Sequence, residues 1–365
     1  MASESLTVKG EGTRIVRGLL APYALKLHRS WVSARGAWRH RRGWLVGIEA
    51  ENGLVGFGDC APLPSWGEDL TDIERQLHDG LEACTGVDMQ QALNNLSTLH
   101  NAPAVRCGLE TALLDFSART DGAPLSHWLS GDPAVSVKVN AALGALDAQT
   151  ATRAHDAIAQ GYRVLKIKIG VSASVQELSA LRALVETLPP GIALRLDANG
   201  RWSIEQAQQF LAELRELPVE SLEEPLDAPQ SDALKALQAE TPFPLALDES
   251  LRSWKTDVLL RDPPVSRIVL KPMMLGGPLS ALKLAREAES AGLQCVVTST
   301  VDSAAGIWMA LHLAAALNND LVHGLATGPW LAQDVGDGPL IEQGSMAVPE
   351  IPGLGFVPDQ AVQFG

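Results

Sequence analysis

Positive charge is scarce in this chain: its 365 residues carry 29 Lys+Arg against 43 Asp+Glu, a formal net charge of −14. Non-specific nucleic-acid binding draws on a surplus of Lys and Arg, so the acidic balance argues against such a partner. A long apolar run is missing too. The most apolar stretch, Gly306 to Leu317, is interrupted by His312 and falls short of the roughly 20 residues a membrane helix needs, so no membrane partner is expected. The opening MASESLTVKGEG is polar, without the charged-then-apolar plan of a signal peptide, and a cytoplasmic protein is the expectation. The four cysteines, Cys60, Cys84, Cys107 and Cys295, form no CxxC pair and no metal-ligand spacing. They read as buried thiols in a reducing compartment. No internal repeat or low-complexity tract occurs. What remains, 46% apolar and 20% charged residues, belongs to a folded soluble chain able to bury a large core.

Organisation shifts along the chain. A strand is expected between Ile15 and Ser33, and Gly43–Val55 reads as two strands around a Glu-Asn-Gly turn. Helical periods follow at Thr71–Ala83, Met89–Leu99 and Ala104–Thr120. Strands then helices, unalternated, suggest a small α+β domain over residues 1–130. From Val135 the pattern alternates. Short β-rich runs occur at Ser136–Leu143, Arg163–Ile169, Ala193–Asp197, Val219–Glu223, Leu245–Asp248, Arg267–Lys271, Gln294–Ser299 and Asp320–Gly324. Amphipathic segments lie between them, such as Ser203–Leu217, which opens with a Ser203/Gln206 capping-box pair. Such spacing fits a parallel (β/α)8 barrel over 131–330 better than an open sheet, and no dinucleotide fingerprint follows the first strand. The Pro- and Gly-rich tail, 331–365, is expected to pack back on the first domain.

Barrel active sites sit at the C-terminal ends of strands. Here five consecutive strands end in charged groups: Lys166-Ile167-Lys168, Asp197-Ala198-Asn199-Gly200, Glu223-Glu224-Pro225, Asp248-Glu249-Ser250 and Lys271-Pro272. Any one could be a solvated turn or a helix start. Alternation places Lys166 and Lys168 on the interior face with Val164. Carboxylates from the third, fourth and fifth strands can converge on one divalent cation, with Mg2+ favoured by hard oxygen ligands. Lysines of the second and sixth strands then face one another across it. Beside another cation, Lys168 gains a lowered pKa and becomes a base near neutral pH. This is equipment for removing a proton from carbon beside a carboxylate.

Over nearly the whole length, the chain resembles the enolase superfamily, in particular its muconate-lactonising-enzyme subgroup. The motifs that carry the likeness are KIK at Lys166–Lys168, DANGRW at Asp197–Trp202, EEP at Glu223–Pro225, DES at Asp248–Ser250 and KP at Lys271–Pro272. The resemblance implies an α/β fold, a modified (β/α)8 barrel capped by an N-terminal α+β domain, and an essential Mg2+ for which Mn2+ is an acceptable substitute. It implies Asp197, Glu223 and Asp248 as metal ligands, Lys168 as the base, Lys271 as the opposite lysine and Lys166 as the partner of the base. Asn199 matches the second polar residue of the DxN motif. Glu224 and Glu249 match no ligand position and are expected to orient neighbours.

Within the subgroup, specificity must come from strands seven and eight and the cap. Dipeptide epimerases usually carry Asp-x-Asp after strand eight; here the stretch reads His323-Gly324-Leu325-Ala326-Thr327-Gly328. After strand seven, Ser299-Thr300-Val301-Asp302-Ser303-Ala304-Ala305-Gly306 resembles the Ser-Ser-x-Glu-Ser-x-x-Gly of o-succinylbenzoate synthases, with Thr300 and Asp302 as substitutions. KPMMLGG after strand six and Ala61–Pro64 in the cap point the same way. Ser299, Thr300 and Ser303, with Asn199, are therefore the candidate substrate-binding residues, though Ser303 also reads as a helix cap. The expected activity is a syn elimination of water from a succinyl-hydroxycyclohexadiene carboxylate, giving o-succinylbenzoate for menaquinone or phylloquinone synthesis. Racemisation of N-acylamino acids, or dipeptide epimerisation, is the alternative. A basic run in the cap, Arg35, Arg39, His40, Arg41 and Arg42 around Trp38, offers cations that could meet a substrate carboxylate from a closing loop. His323 is placed near the barrel mouth. The expected partner is a small-molecule carboxylate, with monomer and homo-oligomer both open.

Overall fold

Alternation near the start of the chain builds a hairpin first. The computed structural model describes residues 13–33, 36–63, 69–99 and 102–365. β1 (Ile15–Ser33) pairs antiparallel with β2 (Gly36–Ala50), which turns into β3 (Val55–Cys60) to complete a three-stranded sheet. The expected Glu-Asn-Gly turn is there: Gly53 takes a left-handed φ of 78°, open to a residue without a side chain. Helices Leu70–Cys84, Met89–Leu96 and Pro103–Thr120 follow, the second ending at Leu96 rather than Leu99. The third is buried over most of its length and lies directly on β3. A Cβ on Gly58 would stand 2.1 Å from the carbonyl oxygen of Gly108, so the close approach requires glycine.

Eight parallel strands come next: β4 (Ser136–Ala145), β5 (Val164–Lys168), β6 (Ala193–Asp197), β7 (Val219–Glu223), β8 (Leu245–Leu247), β9 (Arg267–Leu270), β10 (Gln294–Val297) and β11 (His323–Ala326). Each pairs with the next from β4 to β10, β11 pairs with β4, and a Thr298–Gly324 bridge joins β10 to β11 and closes the barrel. The crossover helices bury one face each, except Ala304–Leu317, which is buried nearly all round. In Ile204–Leu214 the buried residues are Ala207, Phe210, Leu211 and Leu214, and the Ser203/Gln206 capping box is formed. The barrel is modified at its end, where the short 3-10 turn Gly328–Trp330 follows β11 in place of a crossover helix. No helix among the described residues is long and apolar enough to cross a membrane.

Two features depart from the sequence expectation. The last barrel strand runs His323–Ala326, not Asp320–Gly324. The tail is not wholly irregular: β12 (Ile341–Glu342) and β13 (Ser345–Ala347) form a hairpin, and β13 adds antiparallel to β4. Its two-residue turn, Gln343-Gly344, has φ of 49° and 69°, the left-handed pair that suits the twist of a tight hairpin. Further on, Gly353 N donates to Ala123 O, Leu354 N to Asp115 Oδ1 and Arg119 Nη2 to Phe356 O, so the tail touches the third cap helix and its exit.

Candidate active site

Parallel strands buried on both faces are mainly apolar, with Arg195, Glu220 and Arg267 as exceptions here, and a charged residue at the C-terminal end of one is held at the mouth by the strand itself. Asp197 ends β6, Glu223 ends β7, and Asp248 directly follows β8. One carboxylate oxygen from each lies within 4.8 Å of the others, and all three residues are buried. Lys166 and Lys168 project from β5 on one flank, and Lys271 follows β9 on the other.

The lysines pair with the acids. Lys166 Nζ donates to Glu223 Oε2 and is 3.2 Å from Asp197 Oδ2. Lys168 Nζ donates to Asn199 Oδ1 at 2.7 Å and lies 3.4 Å from the same Asp197 oxygen. Lys271 Nζ donates to Asp248 Oδ2 at 2.6 Å and is equally close to Oδ1, off the line of a hydrogen bond. Burial alone would push the Lys166 amine down. The carboxylates of Glu223, Asp197 and Asp248 outweigh it, and the amine is held above its ordinary range. Burial likewise works against the charge on Asp197, but Lys168, Lys166 and Lys271 hold its carboxyl below the usual range. Asp248 goes the other way, to about 6, through burial and the neighbouring Glu249 despite Lys271.

Turns behind the acids are fixed by their neighbours. Asn199 has a left-handed φ of 46°, accepts from Lys168, and donates through Nδ2 to Glu249 Oε1 at 2.8 Å. Glu224 Oε2 accepts from Asp248 N at 2.8 Å and Ser250 N at 3.1 Å, so it holds the turn that presents Asp248. Beneath the cluster, fully buried Arg195 donates to Glu220 Oε2 at 3.0 Å and Asn140 Oδ1 at 3.2 Å, with Nε 4.0 Å from Glu223 Oε1.

The residues present fit a divalent cation. Glu223 Oε1 and Asp248 Oδ1 are buried without a hydrogen-bond partner, and the donors are all hard oxygens.

Above the acids opens a cleft of about 790 Å³, solvent at its mouth included. Its floor carries Lys166, Lys168, Asp197, Glu249 and Lys271; the β10, β11 and β4 side carries Thr298, Ser299, Thr300, Thr327 and Asn140. Ser299 and Thr327 share a 2.6 Å hydroxyl contact, while Thr298 Oγ1 is buried with no partner. Trp31 and Trp38, paired across the β1–β2 hairpin, complete the wall from the cap, and Lys168 Nζ faces the Trp31 ring at 5.5 Å.

Of the residues singled out from sequence, Lys166, Lys168, Lys271, Asp197, Ser299 and Thr300 line the cleft. Glu223 and Asp248 stand beside them in the cluster. Asn199 and Ser303 are not on the lining: Asn199 sits behind Lys168, and Ser303 N donates to Asp59 Oδ2 at 3.0 Å, toward the cap. The basic run does not point inward as a group. Arg39 is exposed and bonds Ser30, His40 and Arg42 are exposed, Arg41 is fully buried, and Arg35 lies outside the described residues, as does Pro64. His323 starts β11 at the far end from the mouth, its Nδ1 accepting from Val297 N at 3.0 Å, and burial pushes its pKa down to about 3. Sequence reading passed over Thr298, Thr327, Asn140 and the two tryptophans. The strand-end rule reaches Thr327 once β11 is placed correctly, and hairpin register reaches Trp31 opposite Trp38.

A capped barrel with three acids flanked by lysines at its mouth defines a class, and the comparisons agree. A family model described as "Enolase C-terminal domain-like" matches residues 149–362. The L-Lys-D/L-Arg epimerase of Methylococcus capsulatus is 32% identical over 86% of this chain and 90% of its own length. Protein PHYLLO, chloroplastic, of Arabidopsis thaliana is 29% identical over 81% of this chain, which spans only 20% of that protein. The crystal structure of a dipeptide epimerase from Enterococcus faecalis, complexed with Mg and the dipeptide L-Leu-L-Tyr, superposes with a TM-score of 0.87 at 26% identity, covering 94% of this chain and 99% of that one. The chain belongs to the enolase superfamily, in its muconate-lactonising-enzyme-like group.

Proposed function

We propose that the chain is an Mg2+-dependent dehydratase that converts a succinyl-hydroxycyclohexadiene carboxylate to o-succinylbenzoate in menaquinone or phylloquinone synthesis. The observation that carries this reading is the two-sided cleft. One side has lysines and carboxylates; the other has neutral hydroxyls, with no carboxylate at the end of β11 to hold a substrate ammonium. Asp197, Glu223 and Asp248 would hold the cation, whose charge would stabilise the negative charge that develops on the substrate carboxylate.

The lysines supply the proton chemistry. Lys168, oriented by Asn199 Oδ1 and Asp197, takes the proton from the carbon beside the carboxylate. Having gained it, the same amine donates it to the departing hydroxyl, which is why one base suffices for a syn elimination. Lys271 contributes positive charge from the opposite flank. Thr298, Ser299 and Thr327 offer hydroxyls to the succinyl end, Thr300 shapes the wall beside them, and Trp31 and Trp38 exclude water on the cap side. Aromatisation drives the reaction forward. Four buried cysteines accord with a reducing cytoplasm.

A second reading is favoured by the lysines flanking one cleft and by the epimerase relative: Lys168 and Lys271 as opposed bases that racemise N-acylamino acids or epimerise dipeptides. The deciding experiment is a steady-state dehydration assay with and without Mg2+, run beside racemisation of N-succinyl amino acids. Mg2+-dependent dehydration supports the first reading. Racemisation without dehydration replaces it with the second.

A further inference from the structure

Arg41, in the cap strand β2, is 0% exposed, a rare fate for an arginine. Its guanidinium is not on the cleft lining. Instead Nε donates to Val301 O at 3.1 Å, and Nη2 donates to Thr300 Oγ1 at 3.2 Å and to Ala61 O. Nη1 donates to Pro62 O at 2.5 Å and Arg42 O at 3.3 Å. Asp302 Oδ1 is 3.7 Å from Nη2, and Asp302 in turn accepts from Thr300 N and Thr300 Oγ1. One buried fork thus ties the cap segment 61–62 to the barrel loop 300–302. That loop is strained: Val301 has a φ of 61°, in the left-handed region that β-branched residues avoid. Such a conformation persists only where its surroundings over-determine it. Thr300 and Val301 both line the cleft.

We propose that Arg41 is a positioning residue for substrate: it holds Thr300 and Val301 in the strained shape that forms the cleft wall meeting the end of the substrate farthest from the reacting carbon. Substrate affinity therefore depends on Arg41, and proton transfer does not. The lysines hang on other strands and take their orientation from Asp197, Asn199, Glu223 and Asp248. The inference rests on the reading of the cleft as the substrate site. It also gives the buried member of the basic run a role: the cation acts on the wall from behind, without touching substrate.

The test uses Arg41→Met and Arg41→Lys in the full chain, assayed on whichever of the two substrates above the wild type turns over. Amide hydrogen exchange is read over residues 299–303 and, as control, over 164–168. Arg41→Met is expected to raise KM about tenfold or more while kcat stays within about threefold. Exchange at 299–303 should accelerate and the control segment should not. Arg41→Lys keeps the charge but loses the fork, and should fall between. Unchanged KM, or a fall in kcat at constant KM, overturns the proposal, as does exchange at 299–303 that stays as slow as in the wild type. If Arg41→Met does not fold, Asp302→Asn takes its place; a smaller rise in KM supports the proposal and an unaltered KM overturns it. A wild type that turns over neither substrate defeats the functional reading, and the exchange experiment then still decides whether Arg41 holds the loop.

Discussion

Magnesium should raise the thermal unfolding midpoint of this protein, and the size of the shift can be worked out. Asp197, Glu223 and Asp248 offer oxygens within 4.8 Å of one another, in a folded arrangement that the unfolded chain does not reproduce. A ligand bound only by the folded state stabilises it by RT ln(1 + [L]/Kd), about 2.7 kcal/mol at a hundredfold excess over Kd. Unfolding entropy near 2.1 cal/mol/K per residue gives about 0.8 kcal/mol/K for 365 residues, so the midpoint should rise by about 3–4 °C. Lys166 and Lys271 already neutralise part of the cluster, so the shift reports what a divalent cation adds beyond two ammonium groups. The assay is calorimetry over a Mg2+ series, with KCl at matched ionic strength to remove simple screening. Asp248→Asn should abolish most of the shift, whatever it does to the starting midpoint by leaving Lys271 without its ion partner. A midpoint insensitive to tens of millimolar Mg2+, or an equal rise in Asp248→Asn, would refute the assignment of these three acids to a cation.

Two further outcomes follow from the same geometry. Lys168→Ala should lower kcat by about 10²–10⁴-fold while leaving the Mg2+-dependent midpoint shift intact, because Lys168 is a base and not a ligand; full retained turnover would sink its assignment. Glu110 is buried under the barrel loop at Gly277 and Leu279, where burial raises its pKa from 4.5 to about 7. The folded chain keeps that proton up to about pH 7 while the unfolded chain releases it near 4.5, so this group costs stability as pH rises between the two. Glu110→Gln, which keeps an acceptor for Leu279 N, should therefore gain on the wild type by up to about 3 kcal/mol from pH 4.5 to pH 8. Urea unfolding of both proteins at the two pH values measures it, and a difference independent of pH would disprove the account.

The mouth of the barrel was legible in sequence from β5 to β9 for a physical reason. Parallel strands covered on both faces read as mainly apolar runs, and a charged residue at the C-terminal end of each run marks its exit. That marker is missing at β11. Leu321 to Ala326 contains no charged residue, so the sequence pattern sets the strand too early, puts His323 at the mouth and misses Thr327. The cap failed differently. A basic run says how many cations lie close together, while pairing of β1 with β2 decides which face each takes. In that pairing Arg41 lies opposite Leu25 on the buried side, and Arg42 opposite Ala24 faces out. Asn199 and Ser303 show a third limit: a motif places a residue beside a site without saying whether its side chain faces substrate or supports a neighbour.

Charge bookkeeping inside the barrel bears on which substrate suits this site. The positive residues that the composition lacks are gathered here: Lys166, Lys168, Lys271, Arg195 and Arg267, facing Asp197, Glu220, Glu223, Asp248 and Glu249. With Lys168 as the neutral amine that its role as base requires, four positive charges face five negative ones. A divalent cation would turn that deficit of one into an excess of one, and in a buried environment an unmatched charge is costly. The substrate carboxylate beside the reacting carbon supplies the anion that restores the balance. A dipeptide needs in addition a carboxylate for its ammonium, which the end of β11 does not provide. The cyclohexadiene carboxylate and an N-succinyl amino acid bring no ammonium to that end, so the hydroxyl wall supports these two and weighs against a dipeptide. The choice between them then falls to the shape of the hydroxyl wall and the two tryptophans, which is where the dehydration and racemisation assays differ most.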